Sequence, residues 1–343
     1  MTSLVDVPED MAEFNDWAVE QRWSDGLPMI PPTEDRVDEM LTGTGWPSDE
    51  VIGKIPARLA EATVEIIAAN AVMAGCTPAA MPILITAVQA MIDPIVNLYG
   101  AQATTHPCAL MVLVSGPLTK SAGIHSGSGL FGPGFRGNAT IGRAVRLIQQ
   151  NVGGAWPGET DRATQGTSAK FSFCFAENDE ESPWEPYRVS QGYQRDDTTV
   201  TVVAAEGPHN LNDHVSKDPK GILAMFRHTI ATMGKNNSYI MSGDYVVVVC
   251  PEHATTLHDG GFERRDVQEF LHNRARIPYR DWKLGGMIGM LNQPKYLDAA
   301  DDDFPVPITT TPDDVHIVVG GGPGLHSTFI PTFGLSRTAT RVV

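Results

Sequence analysis

The chain has 343 residues, of which 42% are hydrophobic and 19% charged, and its formal net charge at pH 7 is −16. This composition predicts a folded chain of one large domain or two ordinary ones, and its acidity argues against nucleic acid or an anionic membrane as a partner. No apolar run reaches the roughly 18 residues of a membrane span, and no secretory signal is visible at the N-terminus, so we expect a cytoplasmic protein.

The first part of the chain predicts a helical lead-in. Apolar residues recur at helical spacing over residues 9–23, and Thr33 is a suitable N-cap for a second helix. A Pro-containing connector then leads to residues 60–75 and 78–92, which read as two buried helices rich in Ala, Ile and Val.

Cys76 lies at the joint of these two helices, close to a helix N-terminus. That position favours a thiolate and hence a nucleophile or redox thiol. A small buried residue at a tight corner explains Cys76 equally simply, and it is the interpretation that we prefer.

A strand pattern follows, in which short β-branched or aromatic runs alternate with helical segments. The runs are 109–117, 171–178, 199–208, 244–251 and 315–323. We therefore predict an α/β fold with a mainly parallel or mixed sheet and flanking helices, a pattern compatible with two similar halves. The predicted division is an arm over 1–58, a first half over 59–160 and a second half over 161–343. Residues 154–170 are the best candidate for a linker or a long active-site loop.

A glycine-rich stretch over residues 123–145 is the first candidate site. Asn138 and Thr140, which end the glycine-rich part, are good N-cap residues for the helical segment that follows. Inward-pointing backbone N–H groups and a helix N-terminus suit an anion such as a carboxylate or phosphate. The predicted substrate-binding residues of this stretch are Ser126, Gly127, Arg136, Asn138 and Thr140. A plain surface loop is the alternative.

Histidines follow four of the predicted strands, each close to a Pro. They are His125, His209, His253 and His326. In open α/β sheets, ligands bind beyond the carboxyl ends of parallel strands, so we expect His125, His209 and His326 to open onto one cavity. His106 precedes the first strand and therefore belongs to the opposite edge, unless its loop folds back.

The densest polar cluster is Gly207-Pro208-His209-Asn210-Leu211-Asn212-Asp213-His214. We predict His209 as a general base assisted by Asp213 or His214, with Asn210 contacting substrate. His209 and His214 are alternative metal ligands, although no spacing matches a defined metal motif. Glu177, at the end of a predicted strand, is a further candidate for substrate binding.

The sequence contains few other signals for a cofactor. The four cysteines are scattered without a CxxC pair, and no fingerprint for a dinucleotide, a P-loop or pyridoxal phosphate is present. A divalent metal is compatible with the histidines.

Several long strings together carry a family resemblance: WSDGLPMIPPTEDRV, EATVEIIAANAVMAGC, FAEN and GPHNLNDH. Over most of its length the chain resembles a bacterial family named for a Sec-Gly-Ser-Cys motif, the UGSC family. That motif itself is absent, so the resemblance implies a bacterial origin and one family-length module, and it carries over no catalytic residue.

These observations favour an enzyme that acts on a small anionic substrate by histidine acid–base chemistry, as a hydrolase, lyase or isomerase. The alternatives are a thiol enzyme using Cys76, a metalloenzyme using His209 and His214, and a small-molecule binding protein without turnover. A homo-oligomer is compatible with all of them.

Overall fold

The structure, a computed structural model, describes residues 4–240, 242–284, 297 and 300–343. Its helices are α1 (Met11–Glu20), α2 (Glu34–Leu41), α3 (Val64–Ala74), α4 (Met81–Met91), α5 (Leu98–Ala103), α6 (Leu118–Ser121), α7 (Arg136–Asn151), α8 (Tyr187–Ser190), α9 (Pro219–Ile230), α10 (Asn236–Ile240), α11 (Pro251–Asp259), α12 (Arg264–Arg274) and α13 (Tyr279–Leu284). Its strands are β1 (Val51–Ile55), β2 (Ala60–Thr63), β3 (Ala109–Ser115), β4 (Cys174–Ala176), β5 (Thr199–Ala205), β6 (His209–Asn212), β7 (Tyr245–Val249), β8 (Arg276–Pro278), β9 (Pro305–Pro307), β10 (Val315–Val319), β11 (His326–Ile330) and β12 (Ala339–Val342).

Two four-stranded sheets form the centre of the molecule. Sheet 1 has the strand order β12-β5-β3-β4, and sheet 2 has the order β10-β7-β11-β6. Met111 and Val203 of sheet 1 belong to the same buried cluster as Val248 and Val318 of sheet 2, so the two sheets pack face to face. Helices α3, α4 and α7 cover the outer side of sheet 1, and α9, α11 and α12 cover that of sheet 2. The predicted α/β class with flanking helices is confirmed.

This layering explains why the strands read as unbroken apolar runs. Every residue of β3, β5, β7 and β10 is buried, because one face of each strand meets helices and the other face meets the opposite sheet. A strand with one face in water would alternate instead. The predicted runs overran these strands by up to four residues at their C-terminal ends.

The strand directions are mixed. β3 and β4 are parallel, as are β7 and β10, whereas β5 runs antiparallel to β3 and β11 antiparallel to β7. The C-terminal end of β5 therefore lies beside the start of β3, where Ala205 pairs with Ala109. The expectation that the four strand ends converge on one edge is wrong for β5, because that expectation required parallel strands.

The two sheets are connected by a feature that we call the crossing ribbon. β5 continues into β6 and β11 into β12, but β6 pairs with β11 in sheet 2 and β12 pairs with β5 in sheet 1. The two segments meet where each passes from one sheet to the other, and there Ala205 forms an antiparallel β-bridge with Thr332. Sheet 1 thus takes β4, β5 and β12 from beyond residue 160, the predicted boundary between halves.

The N-terminal arm packs against sheet 1's helices. Phe14 and Ala18 of α1 are buried in the same core as α3 and α7. Asp25 receives two hydrogen bonds from Arg143 of α7, each 2.8 Å long, which fix the arm to that helix. Within the described ranges no single helix is long and apolar enough to cross a membrane, and Pro78–Met91 with Pro94–Ala103 passes that test only as a pair bent by 69°.

Candidate functional site

A narrow cleft with a cavity volume of about 20 Å³ lies beside the N-terminal end of β3. Its walls come from α5, the start of β3, α7 and the segment before β4. Its polar side chains are Gln102, Cys108, Arg146, Gln149, Asp161 and Lys170. None of the predicted site residues lines it. Asp161 and Lys170, however, belong to or border the 154–170 segment that the sequence marks as a candidate active-site loop.

Helix α7 supplies one wall through residues spaced three and four apart. Gly142, Arg146 and Gln149 therefore lie on one face of the helix. Gly142 has to be a glycine here, since a Cβ atom would collide with Ser172 Oγ and would lie 2.5 Å from the backbone nitrogen of Phe173. The missing side chain lets the segment before β4 pack directly on α7 and close the cleft.

A buried ion cluster forms the floor of the cleft. Asp161 Oδ2 accepts hydrogen bonds from Arg146 Nη2 at 3.1 Å and from Lys170 Nζ at 2.6 Å. Its Oδ1 accepts one from the backbone N–H of Ala163 at 3.1 Å. Burial acts to raise the pKa of Asp161, but these bonds and the two positive charges outweigh it and lower the pKa. One carboxylate is shared by two cations, so the cluster has one positive charge in excess.

Gln102 is the residue whose surroundings are hardest to explain by packing alone. The side chain is on α5 and only 4% of the residue is exposed. Neither its Nε2 nor its Oε1 has a hydrogen-bond partner among the residues that the structure describes. An unsatisfied buried amide costs about 1–3 kcal/mol, so this side chain has a donor and an acceptor free for hydrogen bonds at the cleft.

The thiol in this cleft is buried and hydrogen-bonded within the protein. Cys108 Sγ donates to the carbonyl oxygen of Ala101 at 3.4 Å, and burial raises the pKa of the thiol to about 12. The same holds for Cys76, where burial raises the pKa to about 12 although Thr140 and Arg136 act to lower it. Both cysteines are therefore neutral near pH 7, and the helix N-terminus does not make Cys76 a thiolate.

His106 lies two residues before Cys108, and two neighbouring side chains hold its imidazole in place. Nε2 is 2.8 Å from Glu206 Oε1, and the ring stacks on Phe333 with 5.5 Å between centroids. Because a carboxylate accepts only, Nε2 carries the proton when His106 is neutral, and Nδ1 then has a lone pair. Nδ1 is buried and has no hydrogen-bond partner in the described part of the chain.

Glu206 also links this imidazole to a buried lysine. Lys235 donates to the carbonyl oxygens of Ile230 and Thr232 and lies over the rings of Tyr245 and Phe329. Burial lowers the pKa of its amine to about 7, against the opposing effect of Glu206. Sequence reasoning missed Lys235, because a lysine in a polar loop has no local signal of burial.

The glycine-rich stretch is held by bonds within the protein. Helix α7 begins at Arg136 with Phe135 as its N-cap, so the prediction of Asn138 and Thr140 as N-caps is wrong. Asn138 is buried and makes hydrogen bonds to the backbone N–H and carbonyl of His125, at 2.7 and 3.1 Å. Its amide therefore closes the loop instead of capping the helix. Thr140 donates to the Arg136 carbonyl at 2.8 Å.

Arg136 points away from the loop toward the joint between α3 and α4. Its Nε donates to the carbonyl oxygen of Gly75 at 2.9 Å and its Nη2 to that of Cys76 at 3.3 Å. The Ser126 carbonyl accepts from the Gly321 N–H, and Gly127 packs beside the ring of His125. These contacts give Arg136, Ser126 and Gly127 structural roles within the protein. Their roles in substrate binding stay predictions.

The three histidines expected in one cavity lie apart. His125 stacks on Phe135 with 3.5 Å between ring centroids, and its Nε2 lies 2.9 Å from the Ser128 carbonyl oxygen. In the register of β6 and β11, His209 is opposite Phe329, whereas His326 is opposite Asn212. Because side chains alternate along a strand, His209 and His326 point to opposite faces of the sheet.

His326 meets a different histidine of the 207–214 cluster. Its Nε2 is 2.9 Å from His214 Nε2, and its Nδ1 is 3.0 Å from Asn210 Oδ1. Asp213 does not orient a histidine through its carboxylate, since Oδ1 accepts from the backbone N–H groups of Val215 and Ser216.

Glu177 directly follows β4 of sheet 1 and is buried. Its carboxylate accepts from Ser115 Oγ at 2.5 Å and from the Tyr187 N–H at 2.6 Å, with Arg264 of α12 at 3.6 Å. Burial raises the pKa of Glu177 despite these partners. This arrangement joins β4 of sheet 1 to the helical layer of sheet 2.

We also searched the described residues for a metal site and compared the chain with known proteins. No group of three or more His, Cys, Asp or Glu side chains suited to a metal occurs over residues 4–240, 242–284, 297 and 300–343. No protein-family model matches the chain, and no curated protein matches it significantly. The resemblance to the UGSC family stays a prediction.

Proposed function

We propose that this chain binds a small carboxylate-bearing molecule in the cleft beside β3. The observation that carries the proposal is the Gln102 amide, buried at the cleft with neither polar atom partnered among the described side chains and backbone. A bound molecule that hydrogen-bonds this amide would recover the cost of burying it.

The neighbouring charges support an anion as the group that is bound. Arg146 and Lys170 share the single carboxylate of Asp161, so one positive charge remains in a chain whose net charge is −16. A carboxylate would balance that charge. Gln102 offers a donor and an acceptor, and this pair suits a carboxylate that also has a hydroxyl or amino group.

His106 does not line the cleft but lies two residues before Cys108, which does, and we propose turnover of the bound molecule through its imidazole as a second function. Its Nδ1 is unpartnered in the described structure, and Glu206 holds Nε2 in the donor state. In a lyase or isomerase step, Nδ1 would take a proton from a C–H or O–H group of the bound molecule. The imidazolium so formed would be stabilised by Glu206. This proposal keeps the histidine acid–base chemistry predicted from the sequence and moves it to another histidine.

A binding screen tests the first function. Small hydroxy, amino and unsubstituted carboxylates, with their neutral amides, are measured against the parent chain by calorimetry. A selected carboxylate should bind about ten- to a hundredfold more weakly to Gln102→Met and to Lys170→Met, as expected for lost hydrogen bonds to a charged group. Gln268→Met is the matched control, because Gln268 is buried on α12 and donates to Val315 instead of lining the cleft.

The same screen separates this cleft from the glycine-rich stretch. Arg136→Ala should leave the affinity unchanged if the cleft is the site, and should weaken binding if the stretch holds the anion. For turnover, His106→Gln keeps a donor toward Glu206 but lacks the Nδ1 base. It should lower kcat by about 10²–10⁴ with little change in binding. Equal affinities in the parent, Gln102→Met and Lys170→Met chains would refute the cleft.

A further inference from the structure

We infer that His214 and His326 form a surface site for a first-row divalent metal ion, with Cu²⁺ and Ni²⁺ preferred. The site lies where β11 begins, beside the residues that follow β6 in sheet 2, and it is independent of the cleft beside β3. Its two imidazoles come from distant parts of the chain, and the β6–β11 register brings them together by pairing His326 with Asn212, two residues before His214.

Asn210 fixes the protonation of His326. Its Oδ1 lies 3.0 Å from His326 Nδ1, and an amide oxygen can only accept, so Nδ1 carries the proton. Nε2 of the neutral ring then has a lone pair, on the side of the ring that is near His214. Metal-binding histidines are oriented in this way, by a hydrogen bond from the ring nitrogen that does not bind the metal.

The separation of the two nitrogens selects the geometry. His214 Nε2 and His326 Nε2 are 2.9 Å apart, with the rings inclined by 71°. With metal–nitrogen bonds of about 2.05 Å, that separation corresponds to an angle of about 90° at the metal. Tetrahedral zinc would require the nitrogens about 3.3 Å apart. The separation matches that of two adjacent positions of a square-planar or octahedral ion, and these geometries are typical of Cu²⁺ and Ni²⁺.

Both imidazoles are exposed, so water can fill the remaining coordination positions. A hydrogen bond shared by the two nitrogens is the alternative use of the same geometry. The two uses exclude each other, because a metal replaces the shared proton, and titration with a metal therefore distinguishes them.

The experiment titrates the untagged chain with Cu²⁺ and with Zn²⁺ by calorimetry, and records the electron paramagnetic resonance spectrum of the Cu²⁺ form. We expect one equivalent of Cu²⁺ with nitrogen hyperfine structure, bound more tightly than Zn²⁺. His214→Ala and His326→Ala should each weaken binding about tenfold or more, and Asn210→Ala by about ten- to a hundredfold.

His209→Ala is the matched control, since His209 is exposed on the same strand but on the opposite face. It should bind Cu²⁺ like the parent chain, and circular dichroism should show each variant folded. Unchanged affinity in His214→Ala or His326→Ala, or a loss in His209→Ala as large as in either, would overturn the site. So would the absence of a saturable equivalent of Cu²⁺ in the parent chain.

Discussion

Replacing Gln102 by methionine should make the free protein more stable. Methionine is close to glutamine in length and volume but has no amide to satisfy, so the substitution removes the cost of an unpartnered buried group. That cost is about 1–3 kcal/mol. Because most buried polar substitutions destabilise, a gain in stability is an unusual outcome and a discriminating one.

The expected shift in melting temperature follows from the size of the chain. Unfolding entropy is about 2.1 cal/mol/K per residue near 60 °C, so a chain of 343 residues shifts by about 1.4 °C per kcal/mol. Gln102→Met should therefore raise Tm by about 1.5–4 °C in differential scanning calorimetry. Gln268→Met should lower it, because that substitution leaves the Val315 carbonyl oxygen without its 2.7 Å donor.

A ligand should reduce the lead in stability that Gln102→Met has over the parent chain. At a concentration of about 100 times Kd, a ligand that binds only the folded state adds about 2.7 kcal/mol, and the parent chain should gain this while Gln102→Met gains less. A Tm for Gln102→Met equal to or below that of the parent chain would refute the reasoning, since it would mean that the amide is already satisfied in the folded protein.

Three further outcomes are expected. Asp161→Asn should lower the unfolding free energy at pH 7 by about 3–5 kcal/mol, because Arg146 and Lys170 lose their shared partner. The folded-state pKa of Asp161 lies below its ordinary 3.8, so its contribution is complete above that value and is lost as the pH falls through the lowered one. In denaturant titrations the difference should hold from about pH 7 to pH 5 and shrink below about pH 4. Cys76→Ser should leave carboxylate binding and any turnover unchanged, because the buried thiol is neutral. Gly142→Ala should cost about 1–3 kcal/mol in chemical denaturation, since its Cβ would press on the segment before β4.

Each outcome has a contrary result. A difference for Asp161→Asn that grows on acidification would reverse the sign of its pKa shift. Complete loss of turnover in folded Cys76→Ser would restore the thiol mechanism. A more stable Gly142→Ala would mean that helix propensity outweighs the collision. Gly45→Ala is its control, because a Cβ there meets no atom within 4 Å.

The α/β class and the buried strands could be predicted from the sequence because burial determines the pattern directly, whereas the packing of two sheets face to face was not predicted. β3, β5, β7 and β10 are buried on both faces, which produces runs of Val, Ile and Ala that the sequence displays without ambiguity. β6, β11 and β12 went unrecognised as strands, although β11 lies between β7 and β6 in sheet 2. The polar and short sequences of β6 and β12 resemble loops, since only part of each strand faces the core.

Strand direction could not be predicted, and the partner of His106 depends on it. Nothing in the residues between β4 and β5 indicates that β5 runs antiparallel to β3. The reversal brings Glu206 to the start of β3, where it meets His106. A histidine set aside for preceding its strand thereby gains a carboxylate partner, while His209 is directed to another face.

The cleft itself has a weak local signature. Gln102 is one polar residue in a six-residue helix, and nothing nearby indicates that its amide is left without a partner. Asp161 and Lys170 fall within or beside the segment that the sequence marked as a candidate active-site loop, but their pairing with Arg146 depends on how that segment folds back on α7.

The crossing ribbon has a consequence for how the chain acquires its structure. β5 pairs with β12, which follows more than a hundred residues later, and β6 pairs with β11. Neither sheet can therefore be completed until the C-terminal strands β11 and β12 have been made. During synthesis on a ribosome, the open edge of β5 would remain exposed until β12 emerges, and an unpaired edge is a template for aggregation. Pairings this distant in sequence also slow folding. Removing residues 339–343 should therefore impair the yield of soluble chain far more than the loss of one short edge strand suggests.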